Sequence, residues 1–277
     1  IMKRSFSGGI PLKKYHGQYF LRDLSVVHNM LNAVSLTGKS VFEIGCGDGV
    51  LSREIVAQKP GRFWIFEIDP AWAEKVAIEL KKTKNFTMHT ANFLDIDFSI
   101  FVPDQPWLLL SNLPYHVTFP ILKKVQQNKD KISEAVVMVQ EEVGQKLVKK
   151  EGRGYGYISL FFQYHFDIKL LTKVPPTAFF PEPKVFSRLV YLKPILNPKP
   201  IPYEVEFWKF IKFCFSQPRR TLRNNLLQTH LDFTKVSEAT LALRAQQMSF
   251  ADLLTLWNII GSNKPSSYTI STPEEEL

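Results

Sequence analysis

Over the first 140 residues, short apolar runs alternate with stretches in which apolar residues recur every three to four positions. Ser40–Ile44 (SVFEI), Phe63–Ile68 (FWIFEI), Phe86–Thr90, Trp107–Leu110 (WLLL) and Ala135–Gln140 (AVVMVQ) read as buried strands. Residues 22–36, 51–59 and 70–83 read as helices between them. Strands alternating with helices predict βαβ units and a parallel sheet. Further on, Ile158–Leu171 and Leu189–Leu192 read as longer strands of antiparallel type.

Prolines cluster at 175–183 and again at 194–202 (PILNPKPIP). Successive prolines stop both helices and central strands, so the second cluster is the linker expected between two domains. Beyond it, 203–260 carries helical apolar spacing, as in FWKFIKFCF and FADLLTLW. The expected organisation is a loose N-terminus at 1–12, an α/β domain at 13–197, a small all-α domain at 198–263 and a polar tail at 264–277.

Composition changes this picture little. In the chain of 277 residues, 45% are hydrophobic and 22% charged, which excludes a wholly disordered protein. Charge adds more: the net value is +9, and residues 199–277 account for +1 of it. The larger domain therefore carries most of a positive field suited to a polyanion. Cys46 and Cys214 form no CxxC pair and the histidines show no metal-ligand spacing, so no metal is expected. No run approaches the ~18 apolar residues of a membrane span. The opening IMKRSFSGGIPLKK lacks the apolar segment of a signal peptide, and the expected location is the cytoplasm.

The candidate chemistry begins at Glu43-Ile-Gly45-Cys-Gly47-Asp-Gly49, directly after a predicted strand. A dinucleotide fingerprint would need glycine at Val50, and a P-loop reading fails because Ala33 stands where its first glycine belongs. Glu67 ends the next strand, at the distance where an acid meets ribose hydroxyls in doubly wound folds. This pairing points to S-adenosylmethionine, with the loop cradling its amino-acid end. Asn92, after the third strand, is placed to reach the cofactor adenine, although a turn-capping role fits it as well.

Ser111-Asn-Leu-Pro-Tyr-His116 follows the fourth strand, at the sheet end where ligands bind. Asn112 offers a side-chain carbonyl, and Pro114 biases Leu113 to an extended shape that turns its C=O outward. Two acceptors suit the two hydrogens of an exocyclic adenine amine, and Tyr115 offers a stacking face for an extruded base. His116 reads as a structural neighbour rather than a base.

With these motifs in order, the chain resembles the ribosomal RNA adenine N6-dimethyltransferases, specifically their small-subunit branch, over roughly residues 12–260. The resemblance rests on Gly17-Gln18-Tyr19-Phe20-Leu21, the 43–49 loop, Glu67-Ile-Asp69, Asn112-Leu113-Pro114-Tyr115, Phe179-Phe-Pro181-Glu-Pro183-Lys-Val-Phe-Ser187 and Arg219-Arg-Thr-Leu-Arg223-Asn-Asn-Leu226. It implies a Rossmann-like seven-stranded S-adenosylmethionine-dependent methyltransferase sheet with a small C-terminal all-α domain. It also implies cofactor contacts from Gln18, Tyr19, Leu21, Gly45, Gly47, Glu67, Asn92 and Asn112, with S-adenosylhomocysteine as product and no metal. Asn112 and Tyr115 would present the target adenine, and Phe179 would supply a second stacking face. The implied product is N6,N6-dimethyladenosine at two adjacent positions near the 3′ end of small-subunit ribosomal RNA. A monomer acting on a late assembly intermediate is implied.

Two positions depart from the family pattern: Tyr19 replaces Asn, and Asn92 replaces Asp. Phe20 and Phe180 are expected to pack in the core. Helical spacing puts Arg219, Arg220 and Arg223 on one side of a helix, forming a phosphate-contact strip with Lys212. The alternatives are the large-subunit dimethylases of the macrolide-resistance type, DNA adenine methylases, and an assembly factor with incidental methylation. The first differ by Ile at the position of Leu113 and lack the Arg219–Leu226 segment; the second carry Pro at that position.

Overall fold

The computed structural model describes residues 19–101 and 106–261, together with two short strands, β1 (Phe6–Ser7) and β2 (Ile10–Pro11). The chain divides into two compact units, one of residues 1–144 and 166–196, the other of 145–165 and 197–277.

In the first unit the strands β4 (Ser40–Ile44), β5 (Arg62–Glu67), β6 (Phe86–Thr90), β7 (Trp107–Asn112), β8 (Ile132–Gln140), β9 (Phe166–Val174) and β11 (Ser187–Pro194) form one seven-stranded sheet. Its order is β6-β5-β4-β7-β8-β11-β9. β4 to β8 pair in parallel, and β11 runs antiparallel to both β8 and β9. A separate pair, β3 (Phe20–Leu21) with β10 (Phe179–Phe180), lies antiparallel, with Phe179 opposite Leu21. Sequence order reverses between β4 and β7, and in open α/β sheets ligands bind in the crevice outside the strand carboxyl ends at such a point. Ser111 Oγ donates to Ile44 O at 2.6 Å and ties the two strands together there.

Alternation along the strands gives the sheet two different faces. Val41, Ile65, Leu108, Leu110, Val136 and Met138 pack in one cluster with α1 (Leu24–Asn32), α2 (Val50–Ala57) and α3 (Pro70–Leu80). Phe42 and Phe66 belong to an aromatic group with Phe93, Phe98, Phe101 and Trp107; Phe42 and Phe101 have centroids 5.1 Å apart in an edge contact. The helix starts follow the sequence closely. Asp69 caps α3 by accepting from Ala71 N, with Pro70 at the first helical turn, where its missing N–H costs nothing.

The second unit contains α6 (Tyr157–His165), α7 (Glu204–Cys214), α8 (Leu222–Leu226), α9 (Glu238–Ala242) and α10 (Phe250–Gly261). Its interior is aromatic: Phe210 and Trp257 lie 5.3 Å apart, and Phe161 meets Trp208 edge-on at 5.1 Å. Asn225 of the Arg219–Leu226 segment is wholly buried and donates to Cys214 O at 2.7 Å and Gln217 O at 3.2 Å. That amide holds the turn after α7.

Three expectations are corrected. Residues 158–165 are helical rather than strand, and β9 begins only at Phe166. ISLFFQYH is apolar almost throughout, so periodicity cannot separate buried helix from buried strand; the aromatic packing of the second unit favours helix here. The same segment, expected within the α/β domain, groups with the C-terminal residues, and the chain returns to that unit at Asn197, inside the second proline cluster. Finally, Phe180 is not core: 45% of it is exposed.

Candidate functional site

A cavity of about 220 Å³ opens at the switch point, lined by Tyr19 and β3 and by residues at the carboxyl ends of β4, β5, β6 and β7. The turn after β4 brings Gly45 N to Phe66 O at 2.8 Å. Gly47 has φ +52°, and a Cβ there would fall 2.7 Å from the Phe20 ring, so only glycine suits the position. Gly49 is left-handed at φ 81° and starts α2.

Glu67, 5% exposed, ends β5 as the spacing predicts. Its Oε2 accepts from Gly47 N at 3.1 Å and its Oε1 from Asp69 N at 2.9 Å. The carboxylate thus sets the glycine loop and the start of α3 while forming part of the cavity wall. Burial pushes its pKa above the ordinary carboxylate value, partly offset by those two N–H donors.

Glu43, 1% exposed, sits behind the loop, where Ser52 Oγ donates to it at 2.6 Å. Burial pushes its pKa up to about 8 from an ordinary 4.5. Between those values the folded chain holds a proton that the unfolded chain releases, so this contribution to stability is full below about 4.5 and lost as pH rises through about 8. Glu43→Gln keeps the neutral form at every pH. Its melting midpoint is expected to exceed that of the unaltered protein at pH 8 and to match it at pH 5. Equal midpoints at both values would contradict a proton held at Glu43.

Asn112, at the end of β7, donates from Nδ2 to Tyr19 O at 3.1 Å. This fixes the amide orientation and leaves Oδ1 as an acceptor that no donor among the described residues engages. The Pro114 carbonyl already accepts from Val117 N and Thr118 Oγ1, both at 3.2 Å. Leu113, 1% exposed, also lines the cavity, and its carbonyl is the turn's other backbone acceptor. Tyr115 Oη lies 2.7 Å from Ser187 Oγ, and burial raises the phenol's pKa, so it stays neutral. The Tyr115 ring stacks on Tyr19, with centroids 5.4 Å apart and planes at 25°.

Other expected residues fall less simply. Leu21 lines the cavity, and the next residue, Arg22, pairs with Asp48 of the loop. Asn92 lines it too, but its amide is engaged locally: Oδ1 accepts from Leu94 N and Nδ2 donates to Asp95, both at 3.1 Å. Phe179 is 3% exposed within the hydrophobic core and is not among the cavity residues. Gln18 lies outside the described residues. His116 is exposed on the cavity rim.

In the second unit, the expected arginine strip is not one helix face. Pro218 interrupts the chain and α8 starts only at Leu222, capped by Thr221, so Arg219 and Arg220 lie in an exposed turn. Arg223 alone is on the helix, paired with Glu238. The Lys212 ammonium sits 4.9 Å from the Tyr157 ring centre. Sequence reasoning missed the bond of Ser187 to Tyr115 and the ring contact of Tyr19, which join residues far apart in the chain, and the bond of Ser52 to Glu43 across the glycine loop.

Among the described residues no helix is long and apolar enough to cross a membrane, and no cluster of three or more His, Cys, Asp or Glu forms a metal site. The chain resembles proteins named ribosomal RNA small subunit methyltransferase A. That of Francisella tularensis subsp. novicida is 33% identical over 257 residues, covering 90% of this chain and 97% of its own. That of Mycoplasma mobile is 35% identical over 245 residues, covering 86% and 90%. In fold it resembles the 23S rRNA methyltransferase ErmE (TM-score 0.68, 22% identity, 87% of this chain and 99% of that one). A dimethyladenosine transferase from Plasmodium falciparum is also similar (TM-score 0.65, 18% identity, 90% and 84%). The seven-stranded sheet is accordingly that of the S-adenosylmethionine-dependent methyltransferases. The model of one family, ribosomal RNA adenine dimethylase, matches residues 11–261, and the chain belongs to that family.

Proposed function

We propose that this protein transfers methyl groups to N6 of two adjacent adenosines near the 3′ end of small-subunit ribosomal RNA, acting on a late assembly intermediate as a monomer. The observation that carries the reading is the Asn112 amide, held by Tyr19 O so that its own acceptor remains available beside a stacking tyrosine. The curated relatives at 33% and 35% identity are small-subunit enzymes by name, which supports this branch over the large-subunit type.

The cavity fits S-adenosylmethionine. The loop glycines leave room where a Cβ would collide, and a buried carboxylate stands in the wall for ribose hydroxyls. When bound, that cofactor supplies an electrophilic methyl group and leaves as S-adenosylhomocysteine. Gly45 and Gly47 would present backbone to its amino-acid end with Leu21 beside the loop, Glu67 would accept from its ribose, and Asn92 would border its adenine.

Asn112 Oδ1 and the Leu113 carbonyl accept the two hydrogens of the target N6. That draws the nitrogen lone pair out of ring conjugation and aims it at the methyl carbon. With the cofactor bound, the N–C bond would form as the S–C bond breaks, S-adenosylhomocysteine would leave, and the N6 proton would pass to solvent. The amine attacks in its neutral form, so no strong base is needed beforehand. Tyr115 holds the extruded base by stacking, a contact worth about 1–3 kcal/mol per base.

Transfer of labelled methyl to undermethylated small subunits, with large-subunit RNA in parallel, tests the assignment. Label in dimethyladenosine of the small subunit alone is the expected result; label in the large-subunit RNA overturns it.

Binding to the particle should be salt-sensitive through Arg219 and Arg220, which are exposed. Each phosphate contact contributes a slope of about −0.7 to −0.9 in log affinity against log salt. Replacing both arginines by alanine should reduce the slope by about 1.4–1.8. An unchanged slope would remove these arginines from the RNA contact.

A further inference from the structure

Tyr19 stands at the junction of the two groups assigned to the target base. Its carbonyl accepts from Asn112 Nδ2 at 3.1 Å, and its ring lies on Tyr115 at 5.4 Å between centroids. The residues after it are anchored on the cofactor side: the Phe20 ring fills the space beside Gly47, and Arg22 pairs with Asp48. The backbone of Tyr19 is therefore held through its carbonyl and through the residues that follow it, while its ring remains only half-buried.

A base held between two aromatic rings needs their planes about 7 Å apart, twice an ordinary carbon contact of about 3.5 Å. The Tyr19–Tyr115 stack is closer than this, so the two rings exclude a base in the observed arrangement. Phe179, the residue expected to supply the second face, is buried in the core with its backbone paired to Leu21. Tyr19 is the aromatic side chain that already faces Tyr115.

We propose that the Tyr19 ring is the second wall of the target-base seat, closed on Tyr115 here and opened by one base thickness when adenine enters. Its role is then substrate binding, in place of the cofactor contact that the family resemblance implies for this position. The proposal rests on the assignment of Asn112 and Tyr115 to the target adenine. A side-chain rotation suffices for opening, because the carbonyl bond to Asn112 does not involve the ring. Closed, the tyrosine pair keeps its apolar faces out of water and holds the seat's shape.

The test compares the unaltered protein with Tyr19→Phe and Tyr19→Ala, using reconstituted small subunits that carry 2-aminopurine at the target position. Three quantities are read: affinity for S-adenosylhomocysteine, emission of the bound 2-aminopurine without cofactor, and turnover on ordinary small subunits at saturation. The expected result is unchanged S-adenosylhomocysteine affinity in both variants. Turnover should fall about ten- to a hundredfold in Tyr19→Ala, as loss of one stacking face implies. Emission should rise in Tyr19→Ala as one quenching ring is lost, and Tyr19→Phe should keep both properties.

Three outcomes overturn the proposal: more than tenfold weaker S-adenosylhomocysteine binding with unchanged emission, which makes Tyr19 a cofactor ligand; faster turnover of Tyr19→Ala, which makes the ring a mere obstruction; and no change in any reading. Failure of the underlying assignment is separate, because then Asn112→Ala retains methyl transfer to small subunits whatever the Tyr19 variants do.

Discussion

Asn112→Ala is expected to abolish methyl transfer while leaving the protein folded and still bound to small-subunit precursors. The side chain is half-buried, and its tertiary bond is a single donation to Tyr19 O at 3.1 Å, so its removal costs only about 1 kcal/mol of stability. Its acceptor, by contrast, acts where the amine must lose conjugation with the ring. Losing one preorganised polar group aimed at developing charge lowers kcat by about 10²–10³. Here the same group also orients the base, and the expected loss is at the upper end of that range. KM for the particle should change little, since the surface that binds the subunit is separate from this amide. A fall in kcat with KM preserved is the pattern of an interaction made mainly in the transition state. Single-turnover transfer with labelled cofactor, alongside particle binding by sedimentation, reads both. Retained dimethylation in this variant would remove Asn112 from the reaction. Loss of particle binding together with activity would instead indicate a structural collapse of the turn.

The same residue shows why much of the site is readable from sequence. Gly45–Gly49, Glu67 and Asn112 each sit at the carboxyl end of a strand whose apolar run is plain, and the βαβ pattern alone brings those ends together. Local chemistry settles the helix starts likewise, as at Asp69-Pro70. What the sequence hides depends on contacts between distant segments. Residues 158–165 form a helix because Trp208 and its neighbours accept Phe161, which no local period records. Arg219 and Arg220 leave the expected helix face because Pro218 and the Thr221 cap restart the chain. Phe179 and Phe180 alternate across a two-residue strand, so one is buried and the other exposed, and composition cannot say which. Asn92 caps its turn through bonds to Leu94 and Asp95 while also lining the cavity, two positions that its sequence context alone does not separate.

Glu67→Gln is expected to weaken cofactor binding about ten- to a hundredfold and to remove the pH dependence that the Glu67 carboxylate contributes. A hydrogen bond to a charged group contributes about 1.5–3 kcal/mol, and the carboxylate is assigned to ribose hydroxyls. The amide is the sharper test than alanine. Both carboxylate oxygens already accept backbone N–H groups, from Gly47 and Asp69, and alanine would leave these two donors buried and unpaired. Glutamine keeps the volume and one acceptor, but its NH₂ must face one of the two backbone N–H groups, Gly47 or Asp69, so one of those bonds is lost. The pH response gives an independent check. Burial raises the pKa of Glu67, so its charged form is reached only at a higher pH than for an exposed glutamate. Ribose hydroxyls are best held by the charged form. Affinity for S-adenosylhomocysteine should therefore rise with pH through that titration in the unaltered protein and stay flat in Glu67→Gln. Calorimetric titration at several pH values between 5 and 8 measures both effects. An unchanged affinity would assign the ribose to another residue. Weakened binding that keeps the original pH slope would mean that a different group, such as the buried Glu43, whose pKa is pushed up to about 8, carries the titration.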